Sequence, residues 1–261
     1  MKISNSQRIR LIKTGLLSVY RDRSMLITDF FLATSIPFVI QAIIWTYVIT
    51  PASRQHLTLD QTYLYYACAL SLNRLHNCYD LITKIAEHIN LGQLECHLIK
   101  PIKYKTYNTY LFLGESLLYA LPPIIIAIYI GYTTENYYTS AVFIALIIPN
   151  QYLCFHVGFF LASLVFFLKK PDFILTFHVV AFGVIGGTLL PPSYWPEHLA
   201  HVMTYNPFHA LVGGPAELLL RPSAERAHEL ITLSFIWLFF FTALSTSTFN
   251  KLQRKYTGAG G

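Results

Sequence analysis

Long apolar runs separated by short polar stretches dominate the chain. A helix needs about 20 mostly apolar residues to cross the hydrocarbon core of a bilayer, which is about 30 Å thick. The runs predict six membrane-spanning helices, at residues 27–49, 59–82, 106–130, 138–168, 173–190 and 230–249. The fourth run is too long for a perpendicular crossing, so we expect Pro149 to kink it. The pattern therefore predicts an all-α, polytopic membrane domain over residues 27–250.

Composition supports a membrane protein. Hydrophobic residues make up 54% of the 261 residues, and only 12% are charged, against about 25% in a soluble domain. Such a composition excludes intrinsic disorder, which requires low hydrophobicity and a high density of charge. The second predicted span is the most polar of the six, because Asn73, Arg74, His76 and Asn77 enter it before its end.

Basic residues predict the orientation of the spans. Only Arg54, Arg221 and Arg226 of the 19 lysines and arginines fall in predicted outer loops, and the other 16 are on the inside. Since lysine and arginine concentrate in cytoplasmic loops, both termini are predicted to be cytoplasmic. The net charge of +6 then reflects topology and contact with anionic lipid, and no nucleic-acid partner is expected.

Two segments are predicted on the cytoplasmic side before the third span. In residues 1–26, Ile9, Ile12 and Leu16 recur at helical spacing between basic residues, which predicts an interfacial elbow helix or a simple basic anchor. Residues 83–105 form a short amphipathic stretch that Pro101 ends. This stretch is either a rigid helix that transmits force from a soluble motor or a connector with no special function. Residues 251–261 form a cytoplasmic tail.

The segment between the fifth and sixth spans is rich in glycine and proline and lies outside in the predicted topology. Two short amphipathic pieces, at 197–205 and 208–220, are too apolar for a solvated loop and too short to span. Such pieces are typical of re-entrant or interfacial helices. Aromatic residues of this segment, including Trp195, Tyr205 and Phe208, are expected at the level of the lipid headgroups.

The sequence contains no recognisable catalytic motif. A phosphate-binding G-x-x-x-x-G-K-[ST] loop is absent, so we expect no nucleotide hydrolysis by this chain. The spacing of His198, His201 and His209 is a weak match to a metal site, and no metal is predicted. Polar residues inside the predicted spans either border a translocation path or form hydrogen bonds between helices: Gln41, Glu115, Asn150 and Gln151.

Three stretches resemble the permease subunits of ABC transporters of the ABC-2 (type V exporter) group. They are the basic leader ending at 20–23, the run Ile89-x-x-Gly92-x-Leu94-x-x-x-Leu98-x-Lys100-Pro101-x-x-Tyr104, and the outer runs 191–199 and 205–208. The chain is most similar to a bacterial branch in which two permeases, often different, accompany a separate ATPase. The order of these stretches between the predicted spans makes the resemblance moderately specific.

The resemblance implies roles for several residues. The stretch around 87–98 would be the helix that couples to the ATPase, through Glu87, His88, Gly92, Leu94, Glu95 and Leu98. The outer gate would include Trp195, Pro196, Tyr205 and Phe208. ATP and Mg²⁺ would bind to two copies of the ATPase and no cofactor to this chain, which would pair with an identical or homologous permease. The implied setting is the bacterial inner membrane, and the implied cargo is hydrophobic, amphipathic or lipid-like.

Other classes of protein remain open from the sequence. A proton-coupled secondary transporter would use Glu115 or Asp29 as its proton site. A lipid-modifying membrane enzyme would depend on the outer histidines, and a purely structural membrane subunit would need none of these residues.

Overall fold

A computed structural model describes residues 4–48, 57–168 and 170–254. The protein is 85% helical, and no β-strand occurs within these ranges, which confirms the all-α class. The helices are α1 (Asn5–Arg21), α2 (Arg23–Phe30), α3 (Ile36–Val48), α4 (Leu59–Leu75), α5 (Tyr79–Asn90), α6 (Leu94–Leu98), α7 (Tyr104–Ser116), α8 (Leu121–Thr133), α9 (Tyr137–Ser163), α10 (Val165–Leu168), α11 (Asp172–Val180), α12 (Glu197–Thr204), α13 (Pro207–Leu211), α14 (Gly213–Leu220) and α15 (Ala224–Gln253).

Four continuous helical stretches are long and apolar enough to cross a membrane. They are Leu26–Tyr47, Tyr104–Thr133, Tyr137–Leu168 and Ala224–Gln253. The first joins α2 to α3 through a π-helical segment, and the second joins α7 to α8 through a 3₁₀ turn. These stretches match the first, third, fourth and sixth predicted spans, except that Ile49, the predicted end of the first, lies outside the described residues.

The second and fifth predicted spans take other forms. Thr58 and Gln61 form a reciprocal capping box that begins α4, and this helix ends after 17 residues at Leu75. The chain then breaks before α5, where the side chain of Asn77 accepts a hydrogen bond from the backbone N–H of Tyr79 (2.9 Å). Residues 59–82 are thus divided between two helices, which the sequence analysis did not predict. The fifth is a shorter apolar helix, Asp172–Ile185.

Helix α9 is the centre of the bundle. It is apolar on all sides. In the most apolar part of the continuous helical stretch Tyr137–Leu168, 67% of the residues are buried inside the protein, as expected for a helix surrounded by others. Phe155 and Phe159 are fully buried on α9, and α5, α8 and α15 pack around it. Pro149 lies inside α9 and does not end it.

Helix α1 packs along α7. Ser4 and Gln7 form the capping box that begins α1, and the helix ends where Asp22 leads into α2. The position of residues 1–26 in the membrane interface stays a prediction, as does the role of the tail, of which residues 255–261 lie outside the described part.

Candidate functional site

The chain reverses direction between α5 and α7 in a compact turn that contains α6. Gly92 has a φ of 71°, a left-handed conformation that side chains disfavour, and it follows Leu91, the C-cap residue of α5. Pro101 follows α6 and prevents its extension. We call residues 87–104 the α6 turn; it contains every residue of the predicted coupling segment.

The α6 turn has a buried face and an exposed face. Leu94 is fully buried together with Ile85 of α5, so Leu94 holds α6 against the bundle. Glu87 and Glu95 are exposed. Leu98 ends α6, and its side chain is outside the described part of the structure.

Two apolar residues of the α6 turn are open to solvent, and the sequence analysis missed them. Leu91 is 64% exposed and Ile99 is 86% exposed. Both lie outside the apolar stripe of the amphipathic pattern. Each is at the end of a helix: Leu91 is next to Gly92, and Ile99 is next to Lys100. An apolar residue out of phase with the buried stripe is the signal that could have identified them.

Aromatic and imidazole rings fix the α6 turn to the first turn of α7. The Nδ1 atom of His88 lies 2.7 Å from the hydroxyl oxygen of Tyr104. The rings of His88 and His97 are stacked with their centres 4.6 Å apart, and the ring of Tyr104 meets His97 edge-on at 5.5 Å. The ends of α5, α6 and α7 are therefore joined by contacts among three rings.

Both histidines of this cluster have a lowered pKa. Burial lowers the pKa of His88 to about 4, with further contributions from His97, Lys84 and Lys100. Burial also lowers the pKa of His97, assisted by the charges of Lys100 and Lys84. Both shifts favour the neutral form of the imidazoles at neutral pH.

Tyr104 continues this contact network into the bundle. Its ring stacks on Phe249 of α15, with centres 5.7 Å apart and an angle of 12° between the planes. It also lies 6.3 Å from the ring of Phe159 on α9. A displacement of the α6 turn would thus act directly on the two longest helices of the protein.

A charged cavity of about 280 Å³ lies between α1, α7 and the break between α4 and α5. Arg74 forms an ion pair with Asp29, and the hydroxyl of Tyr119 donates to the same carboxylate at 3.1 Å. The guanidinium of Arg74 lies over the ring of Tyr119, 4.4 Å from its centre. Arg74, one of the polar residues near the end of the second predicted span, is thus paired with residues of the first and third predicted spans.

The four predicted path residues do not meet at one site. Glu115 lines the charged cavity, 3.9 Å from the ammonium of Lys84. The Gln151 side chain bonds to His76 at 2.7 Å, and the Asn150 amide donates to the Ala210 carbonyl at 3.0 Å.

Gln41 is half-exposed on α3. Asn150 and Gln151 thus form hydrogen bonds between helices, which is the second of the two roles that the sequence left open for them. Glu115 instead lines a cavity. A role for any of the four in transport stays a prediction.

The segment between α11 and α15 is hydrogen-bonded to α4. The hydroxyl of Tyr65 donates to the carbonyl of Gly187 (2.8 Å), and that of Tyr66 donates to the carbonyl of Leu189 (2.9 Å). Gly187 has a φ of 89°, which explains a glycine at this position. The indole N–H of Trp45 donates to Tyr66 (2.6 Å) and so joins α3 to the same group.

The predicted gate residues occupy different environments in this segment. Phe208 is buried against Phe182, with ring centres 5.3 Å apart. Tyr205 is 49% exposed, and its hydroxyl donates to Glu229 at 2.7 Å. Trp195 is half-buried and Pro196 is exposed. The role of these four residues in an outer gate stays a prediction.

Among the described residues, no group of three or more histidine, cysteine, aspartate or glutamate side chains could hold a metal ion. His209 is buried at the start of α13, where the Asn206 side chain caps its backbone N–H, whereas His198 and His201 are exposed on α12.

The helical bundle with its long apolar helices defines a multi-pass membrane protein. Residues 38–260 match the family model described as ABC-2 family transporter protein, and the chain therefore belongs to that family of transporter permeases. A comparison with curated proteins found no match.

Proposed function

We propose that the chain is the permease subunit of an ATP-driven exporter and that a separate ABC ATPase docks on the α6 turn. The observation that carries this proposal is the two-sided construction of the turn. One side presents Glu87, Leu91 and Ile99 to solvent. The other is joined through His88 and Tyr104 to the bundle.

Force would pass from the ATPase to the bundle along this route. Closure of two ATPase subunits on ATP and Mg²⁺ would push on the exposed face of the turn. Because Tyr104 packs on both α9 and α15, the push would tilt these helices together. Packed helices respond to such a displacement as a unit, since a close-packed interior transmits strain.

The topology we propose has six spans. Helix α4 and the beginning of α5, residues 59–82, would form one interrupted span, and α11 with the π segment Ala181–Ile185 would form the fifth. Broken helices are tolerated at membrane depth where protein covers the freed backbone groups. The break at 76–78 meets this condition, because His76 is fully buried and its carbonyl accepts from the Cys154 thiol.

Helices α12, α13 and α14 would be the re-entrant outer gate, and both termini would face the cytoplasm of a bacterial cell. This orientation follows from the excess of basic residues at the end of the bundle that holds the α6 turn. The cargo, a hydrophobic, amphipathic or lipid-like molecule, would leave between this chain and a second permease of the same or a homologous sequence.

A proton-coupled transporter is the competing proposal. It would need a carboxyl group free to exchange a proton. Asp29 is paired with Arg74, whose positive charge favours the ionised carboxylate. Glu115 lies 3.9 Å from the ammonium of Lys84 and is the carboxyl group left as the proton site of this alternative. Transport driven by a pH gradient in vesicles without any ATPase would establish this alternative.

Co-purification tests the docking assignment. We expect Leu91→Asp and Ile99→Asp to reduce recovery of the co-expressed ABC ATPase by at least about tenfold, since a buried charge at an interface costs more than 1.4 kcal/mol. Val202→Asp is the matched control, because Val202 is 66% exposed on α12, which lies near the start of α15, whereas the α6 turn lies near its end. Normal ATPase recovery with both turn variants would refute the proposal.

A further inference from the structure

A second cavity, of about 660 Å³, lies where α7 begins and α15 ends. Three lysines line it: Lys100, Lys103 and Lys105. None of its lining residues that the structure describes is acidic, whereas the charged cavity beside Glu115 contains both signs of charge. This basic cavity adjoins the coupling route described above, because Tyr104 and Phe249 belong to both, but its lysines have no assigned role in that route.

Lys105 joins the two helices that form the basic cavity. Its ammonium donates to the hydroxyls of Ser245 (2.8 Å) and Thr246 (2.6 Å) and to the carbonyl of Thr242 (3.3 Å). All three acceptors belong to α15 and are uncharged. The ammonium also lies 5.7 Å from the centre of the Phe159 ring. A half-buried lysine whose hydrogen-bond partners are all neutral leaves an uncompensated positive charge in the wall of the cavity.

The N-terminus of α7 adds to the positive potential of the same wall. Lys103 is the N-cap residue, no side chain caps the helix, and its first turn contains no acidic residue. The first turn therefore retains N–H groups without intrahelical partners and the positive end of the helix dipole. Tyr104, Lys105 and Thr106 of this turn all line the cavity. An unpaired helix N-terminus beside lysines is a favourable environment for a phosphate group.

The position of the basic cavity indicates the source of the phosphate. Its walls are the ends of two candidate spans, Tyr104–Thr133 and Ala224–Gln253. The ends of such helices lie at the boundary of the hydrocarbon core, where the phosphates of the lipid headgroups are found. The cavity also has the size of typical small-ligand sites, about 300–1,000 Å³, and Tyr110 and Asn250 offer further polar groups.

We infer that the basic cavity binds the phosphate of an anionic phospholipid headgroup, held by Lys103, Lys105 and the N-terminus of α7. The inference requires that α7 and α15 cross the membrane, and it does not depend on ATPase docking or on the direction of transport. A soluble phosphate would be recognised by the same groups, so the two sources must be separated by experiment.

Thermal unfolding of the full chain in neutral detergent provides the test. Added phosphatidylglycerol should raise the melting temperature saturably, whereas phosphatidylcholine and inorganic phosphate at matched ionic strength should not. Lys103→Gln and Lys105→Gln should each weaken the apparent affinity for phosphatidylglycerol about fivefold, the contribution expected of one lysine near anionic lipid. Lys251→Gln is the matched control, since Lys251 is exposed on α15 and does not line the cavity.

Three outcomes would overturn the inference. One is an unchanged response of both cavity variants to phosphatidylglycerol. Another is an equal loss in Lys251→Gln, which would indicate attraction by surface charge alone. The third is an equal shift by inorganic phosphate, which would exclude the lipid as the specific ligand. Lys103 is exposed and forms no hydrogen bond with α15, so Lys103→Gln preserves the test even if Lys105→Gln fails to fold.

Discussion

Gly15 of α1 and Gly114 of α7 lie against each other where these two helices cross. A Cβ atom added to Gly15 would overlap the carbonyl oxygen of Leu111, and one added to Gly114 would overlap that of Ile12. Backbone therefore packs on backbone at the crossing, a close approach that small residues allow between helices. This contact fixes the basic leader helix on α7, whose first turn carries Tyr104 and Lys105.

The glycine contact predicts a cost for the smallest possible side chain. Gly114→Ala should lower the free energy of unfolding by about 1–3 kcal/mol, because the added methyl group meets backbone that cannot move aside. Gly183→Ala is the matched control, since its Cβ would meet only the side chain of Leu189, at 3.2 Å. Thermal unfolding in detergent measures both, and an equal effect of the two substitutions would contradict the close contact.

The hydroxyl of Tyr66 joins α3, α4 and the segment before α12. Tyr66→Phe removes the acceptor of the Trp45 N–H and the donor to the Leu189 carbonyl. We expect a loss of about 1–3 kcal/mol in the free energy of unfolding, because partly buried groups are left without partners. Faster proteolysis between α11 and α12 should accompany it.

Tyr63→Phe is the control for this prediction. The Tyr63 hydroxyl bonds to Thr46 at 2.7 Å in an exposed position, where water can replace the lost partner. Its loss should cost less than about 0.5 kcal/mol. A similar cost for both variants would mean that the Tyr66 hydrogen bonds do not hold the segment.

The sequence was sufficient to predict the class of fold and the long spans. A run such as residues 230–249 contains no charge, so a single local property, hydropathy, identifies the helix without knowledge of its neighbours. The ends were less well predicted, since α15 begins at Ala224, within a polar stretch where Ser223 provides the N-cap.

Features that depend on distant contacts could not be predicted. The division of residues 59–82 is stabilised by His76 and Gln151, which are 75 positions apart in the chain. Likewise, the resemblance implied a coupling role for Leu94 but not its environment, and the structure shows this side chain fully buried. No local pattern records which face of so short a helix meets the bundle.

The ring cluster of the α6 turn predicts a dependence of stability on pH. The pKa of His88 is lowered to about 4, so the unfolded chain, with a histidine pKa of about 6.5, binds more protons between these values. Stability should therefore rise with pH from about 4 to about 6.5 and fall on acidification through that window. The contribution of His88 should be about 1 kcal/mol, since its partial exposure to solvent reduces the effect.

Unfolding midpoints at pH 5 and pH 7.5 measure this dependence. His88→Gln should reduce the difference between the two midpoints, since glutamine does not titrate. His198→Gln, a change at an exposed position on α12, should leave the difference unchanged. A wild-type protein that is equally stable at both pH values would contradict the lowered pKa of the cluster.

The pairing of Asp29 with Arg74 predicts a non-additive pair of substitutions. Arg74→Gln should cost about 2 kcal/mol, somewhat less than the about 3–5 kcal/mol of a fully buried pair, because the Asp29 side chain keeps 28% of its exposure. In that variant the Tyr119 hydroxyl is the one donor left to the carboxylate of Asp29 within the described part of the chain. The double variant Asp29→Asn/Arg74→Gln should recover at least about 1 kcal/mol of this loss, since no unpaired charge remains.

Chemical denaturation in one detergent of the wild type, the two single variants and the double variant measures the coupling between the two side chains. Additive effects on the free energy of unfolding would show that the two side chains do not stabilise the break between α4 and α5 as a pair.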